Sequence, residues 1–136
     1  MNERRDFLKK TVLLAGGITL ATSNRVFASN ASFPSNIVYT KDDPGIWEKR
    51  VGSHLPVVTV EGNKVTITTK HRMTEKHYIV RHTLVSADGK VLGAKTFAPT
   101  DKEAVSVYEL SGTPGQKIYA TSFCNLHDFW VTEFTF

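Results

Sequence analysis

From residue 36 onward the chain is written in short β-branched runs separated by turn residues, a pattern that leaves room for little but sheet. Val57-Val58-Thr59-Val60 and Lys64-Val65-Thr66-Ile67-Thr68-Thr69 flank Glu61-Gly62-Asn63 and read as two strands joined by a glycine-containing hairpin. Residues 77–86 form a longer strand, Ala87-Asp88-Gly89-Lys90 supplies an Asp-Gly turn, and residues 91–98 return. Stretches 105–110, 116–123 and 129–136 complete the set, with Gly112-Thr113-Pro114-Gly115 as the break between the first two. No ten-residue stretch carries apolar residues at helical spacing. About seven short strands in about 100 residues predict an all-β fold, an immunoglobulin-like antiparallel β-sandwich. There is no internal repeat and no low-complexity segment.

The N-terminus is a different kind of text. Arg4-Arg5 precedes Phe7-Leu8, a moderately apolar run follows over 11–21, and Val26-Phe27-Ala28 is a small-residue cleavage pattern. This resembles a twin-arginine export signal, with cleavage after residue 28 and a periplasmic destination. An apolar run of about 11 residues is well short of the roughly 20 that span a bilayer, so no transmembrane anchor is expected in the mature form. The reading divides the chain into a signal at 1–28, a short flexible leader at 29–35 and one domain at 36–136. The signal's five cations and two acids hold +3 of the formal +4, leaving the mature protein near +1. The high pI therefore belongs mostly to the signal, and no basic stripe remains to bind nucleic acid.

The one cysteine, Cys124, stands three positions before His127 in an aromatic-rich segment. With no partner for an intramolecular disulfide, the thiol's chemical use is as a metal ligand, and a nearby imidazole can reach the same ion. His54 sits at the entry to the first good strand, and His71 and His77 bracket a loop between strands. Four imidazoles at element ends plus one thiol suit iron, copper or zinc. His82 lies mid-strand; by strict alternation it shares a face with Tyr78, Val80 and Leu84, opposite His77, and reads as a structural or surface histidine.

Three segments together carry a family resemblance: His54-Leu55-Pro56-Val57-Val58, His71-Arg72-Met73-Thr74-Glu75-Lys76-His77-Tyr78-Ile79, and Cys124-Asn125-Leu126-His127-Asp128-Phe129-Trp130. In order and spacing they resemble the iron-centre segments of superoxide reductases, the neelaredoxin and desulfoferrodoxin family, which read approximately His-Val-Pro-Val-Ile, His-Pro-Met-x-x-x-His-Tyr-Ile and Cys-Asn-x-His-Gly-x-Trp. The resemblance implies one mononuclear iron held by His54, His71, His77 and His127 in a plane and by Cys124 on the axis. It implies reduction of superoxide to hydrogen peroxide with an electron from a separate donor protein, since no second cysteine cluster is present for an additional iron centre. Relatives form homodimers and homotetramers, so it also admits a homo-oligomer.

The family pattern places a Glu-Lys pair directly before the first histidine, the lysine as a cation near the open site and the glutamate as an occupant of oxidised iron. Here Glu48-Lys49 is followed by Arg50-Val51-Gly52-Ser53 before His54. Glu48 and Lys49 are the catalytic candidates the resemblance offers, with Arg50 as a second source of positive charge. Arg72 stands where relatives carry proline, and Met73 suits packing beneath its loop. Two other functions fit the same ligands. One is a non-catalytic iron-binding or electron-transfer module that keeps the site without the Glu-Lys machinery. The other is a blue-copper carrier, disfavoured because no methionine follows His127.

Overall fold

The computed structural model describes residues 33–112 and 114–136. The proposed signal, and most of the leader, lie outside the described residues. Seven strands succeed one another: β1 Val57–Glu61, β2 Lys64–Thr69, β3 Ile79–Ser86, β4 Val91–Thr96, β5 Ala104–Glu109, β6 Lys117–Cys124 and β7 Asp128–Thr135. They form two antiparallel sheets, one ordered β1-β2-β5 and the other β4-β3-β6-β7. The expected all-β sandwich is thus present, with strand ends within two residues of the sequence reading.

Alternation explains which faces meet. In β2, Val65, Ile67 and Thr69 are buried while the residues between them are not, because successive side chains point to opposite faces of a strand. Val65 and Ile67 pack with Leu84, Leu110, Ile118 and Ala120 as the main core between the sheets. A second cluster, Ile79, Phe97, Ala104 and Cys124 with Met73 against it, fills the end of the sandwich nearer the loop 71–77.

Two features depart from the sequence reading. The ladder between β3 and β6 slips between Ile79 and Arg81, and a bulge of this kind reverses the alternation beyond it. Ile79 and His82 are therefore both buried, and His82 shares its face with Leu84 but not with Val80, which is only part-buried. Residues 45–54, to which the sequence reading assigned no regular element, are helical: a 3₁₀ segment Gly45–Arg50 kinked at Trp47 runs into an α-turn Val51–His54. Two glycines and a single buried side chain, His54, give this stretch no apolar periodicity to detect. Its start needs glycine, since Gly45 has φ +47° and an added Cβ would collide with the Asn36 side chain. Among the described residues no helix is long and apolar enough to cross a membrane.

Candidate metal centre

The histidine and cysteine side chains arrive at one end of the sandwich from four places. The α-turn Val51–His54 presents His54 just before β1. The loop after β2 carries His71 and His77, closed by reciprocal backbone hydrogen bonds between Thr74 and His77 of 3.0 and 3.2 Å. Cys124 ends β6, and the tight turn into β7 carries His127. Asn125 holds the last two segments together: its Oδ1 accepts the Tyr78 amide and its Nδ2 donates to the Lys76 carbonyl, each at 3.0 Å. His77 lies between those two anchor points.

Four of the five residues, His54, His77, Cys124 and His127, converge, and His71 lies beside them. His54 Nε2 and His77 Nε2 stand 3.0 and 2.9 Å from His127 Nδ1, and His71 Nε2 is 3.0 Å from His77 Nε2. The rings of His54 and His71 close the circuit edge to face at 4.6 Å between centroids. His54 and His77 face each other across it, 5.7 Å apart and within 28° of parallel. Cys124 Sγ is buried 3.7 Å from His127 Nδ1, and the donor atoms of His54, His77, Cys124 and His127 all lie within 4.8 Å of one another. Two nitrogens bound to one ion at about 2.1 Å and at right angles would stand about 3.0 Å apart, so these spacings fit a shared ion.

Protonation agrees with that fit. The Arg50 carbonyl, 3.2 Å from His54 Nδ1, can only accept, so Nδ1 donates and Nε2 turns a lone pair inward. Burial pushes His54 and His71 down to about 4, with neighbouring imidazoles adding to the effect. His77 and His127 are lowered as well, again chiefly by burial. All four rings are therefore neutral near pH 7, the state that binds metal. Burial raises the Cys124 thiol, while the amides of Leu126 and His127 pull it back; a bound cation would complete its deprotonation.

A cleft of about 240 Å³ opens beside the cluster, lined by Arg50, Ser53, His54, His71, Arg72, Thr74 and His77. It contains two cations and no carboxylate. Arg50's charge is felt at His71, His77, His127 and Cys124. Glu48 and Lys49 are exposed on the 3₁₀ segment and do not line the cleft. Directly before His54, where the family pattern has Glu-Lys, stand Gly52 and Ser53, the latter with its Oγ 2.8 Å from His54 Nδ1. His82 is apart from the cluster: its Nε2 meets Thr69 Oγ1 at 2.9 Å and its Nδ1 meets Ser106 Oγ at 2.8 Å in the core.

Sequence reasoning did not single out Asp128. Its carboxylate accepts the Trp47 indole N–H at 2.9 Å and the Tyr39 hydroxyl at 3.4 Å. The available signal was an aspartate where the family segment has glycine.

A β-sandwich that gathers four imidazoles and a buried thiol at one end defines a His/Cys metalloprotein of immunoglobulin-like fold. The desulfoferrodoxin family model matches residues 45–133, and the chain belongs to that family. Among solved structures it is similar to a variant of the superoxide reductase (neelaredoxin) of Ignicoccus hospitalis, with a TM-score of 0.65 and 22% identity, covering 76% of this chain and 97% of that one. It is also similar to the 1Fe superoxide reductase of Giardia intestinalis, with a TM-score of 0.56 and 26% identity over 62% of this chain and 98% of that one. A variant of the Archaeoglobus fulgidus neelaredoxin in its reduced form matches with a TM-score of 0.54 and 27% identity, over 67% and 92% of the two chains. No curated protein matches the chain.

Proposed function

We propose that this chain is an exported superoxide reductase, a mononuclear iron protein that reduces superoxide to hydrogen peroxide with an electron from a separate donor protein. The observation that carries the reading is the run of imidazole nitrogens at 2.9–3.0 Å from one another with a buried thiol 3.7 Å from one of them. His54, His71, His77 and His127 would hold the iron through Nε2, Nε2, Nε2 and Nδ1, and Cys124 through sulfur. Membership of the desulfoferrodoxin family and the relatives named superoxide reductase support iron and this reaction. Bound there, ferrous iron supplies the single electron, and a thiolate ligand favours its transfer to an oxygen species.

The remaining work falls to the chain. Arg50 and Arg72 give the cleft a positive potential that draws in a small anion. Ser53 and Thr74 hydroxyls line the same cleft and can pass protons from solvent, being donors and acceptors at once. The Arg50 carbonyl holds the His54 Nδ1 proton, which keeps that ring in its ligating tautomer. Residues 1–28 support a periplasmic location, and export of the folded protein would let it load metal beforehand.

One observation favours a second reading, a non-catalytic iron module: no carboxylate lines the cleft, and Gly52-Ser53 occupy the family's Glu-Lys positions. One set of measurements separates the two. The superoxide reductase reading expects one iron per chain, a thiolate-to-ferric absorption band, and near diffusion-limited oxidation of the ferrous protein by pulse-generated superoxide. A ferrous protein indifferent to superoxide leaves the module, and copper in the purified protein overturns both.

A further inference from the structure

Asp128 sits in the turn between Cys124 and β7 at φ +63°, a left-handed conformation that aspartate tolerates better than most residues but glycine better still. A carboxylate there is also an oddity of charge, because it stands next to His127 in a site that must attract an anion. Both features make sense through the group this carboxylate holds. An indole N–H can only donate, and the Trp47 N–H finds its acceptor in Asp128 Oδ2 at 2.9 Å. The Trp47 ring thereby rests edge-on against the His127 imidazole, 4.6 Å between centroids and at 84°.

Trp47 matters because Arg50 and His54 lie just beyond it on the same segment. The stretch Gly45–Arg50 has no buried residue, so apolar packing does not locate it. At its start, Asn36 Oδ1 accepts the Ile46 amide at 2.8 Å. At its end, Arg50 contributes its carbonyl to His54 and its side chain to the cleft wall. Between those points the Trp47–Asp128 hydrogen bond is the segment's side-chain attachment to the metal loop. The carboxylate does not line the cleft, so it anchors the segment from behind while Arg50 faces the anion's approach.

We propose that Asp128 is a positioning residue: by tethering Trp47 against His127 it fixes the 45–54 segment and sets Arg50 over the cluster. The part concerning Arg50 and superoxide rests on the superoxide reductase reading; the tether itself does not.

The test compares full-length, metal-loaded wild type with Asp128→Gly, which keeps the backbone conformation and removes the tether, with Trp47→Phe, which keeps the ring and removes the N–H, with their double variant, and with Asp128→Asn. Hydrogen exchange by mass spectrometry over residues 45–54 reads the tether without using catalysis. Loss of a hydrogen bond to a charged acceptor predicts about tenfold or more faster exchange there in either single variant. The double variant should be no faster than the singles, and Asp128→Asn, which retains an acceptor, should recover most of the protection. The ferrous protein's rate with superoxide should fall several-fold in Asp128→Gly and Trp47→Phe, with a flatter dependence on ionic strength and unchanged metal content. Wild-type exchange in Asp128→Gly, or additive effects in the double variant, would overturn the proposal. A wild-type protein that ignores superoxide while the exchange pattern holds would sink the functional reading and leave the tether standing.

Discussion

His82 offers a test of the energetics that is independent of the metal. Its ring is fully buried and faces Thr69 from β2, Ser106 from β5 and the edge of Phe97, while Thr69 also bonds Ser122 of β6 at 2.8 Å. Burial first, and the Lys95 ammonium second, push it down to about 4 from an ordinary 6.5. Above pH 6.5 the ring is neutral whether the chain is folded or not, and the shift costs nothing. As pH falls from 6.5 toward 4 the unfolded chain takes up a proton that the folded chain largely refuses, so stability is lost in that window. Between pH 7.5 and 4.5 the loss from this one group is about 2 to 3 kcal/mol, a sizeable share of the roughly 5–15 kcal/mol that holds a domain together. His82→Gln keeps a hydrogen-bonding side chain and removes the titration. Urea unfolding of both proteins at the two pH values, followed by tryptophan fluorescence, should show wild type losing about 1 to 2 M more of its midpoint on acidification than the variant. Contributions from His54 and His71 cancel in that comparison. Equal acid losses in the two proteins, to within about 0.5 kcal/mol, would refute the claim that a neutral buried His82 limits acid stability.

Three further outcomes are expected. Cys124→Ser should abolish the thiolate-to-ferric absorption band and lower iron retention, measured by optical spectroscopy and metal analysis, because oxygen is a much poorer donor than the thiolate. Arg50→Ala should slow the reaction of the ferrous protein with superoxide about three- to tenfold at low salt, the gap closing as salt approaches 1 M, whereas Lys49→Ala should have the smaller effect; the reverse ranking in stopped-flow or pulse-radiolysis rates would relocate the cation. Asn125→Ala removes the acceptor of the Tyr78 amide and the donor to the Lys76 carbonyl and should cost about 1–3 kcal/mol in denaturant unfolding, together with weaker metal retention at His77.

Much of this molecule was legible from residues because its signals are local or repeat at fixed spacing. Strand alternation is a property of neighbours in sequence, so β2 showed its buried face in Val65, Ile67 and Thr69 without any tertiary information. The metal segments were legible through their side chains, as the chemistry that gathers four imidazoles and a thiol requires those residue types. Geometry set across the fold could not be read in the same way. The bulge at Ile79 and Arg81 depends on how β3 meets β6, and it is what lets Ile79 share the core with His82, Leu84 and Ser86. The segment 45–54 has no periodicity of its own, and its helical turns are located by Asn36, by Asp128 and by the His54–Arg50 contact, residues up to 81 positions apart.

From its sequence alone, then, this protein had its sandwich architecture and its candidate ligands, because apolar alternation and donor chemistry are written residue by residue. Only the tertiary structure decided that His54, His77, Cys124 and His127 bring their donor atoms within reach of one another, with His71 beside His77, and that Arg50, with Arg72, lines the cleft while Glu48 and Lys49 face solvent. The physical reason is range. A strand's face follows from a two-residue period, whereas the segment carrying the cation beside this site is held by contacts that include a carboxylate on a distant turn, through a hydrogen bond no local pattern encodes.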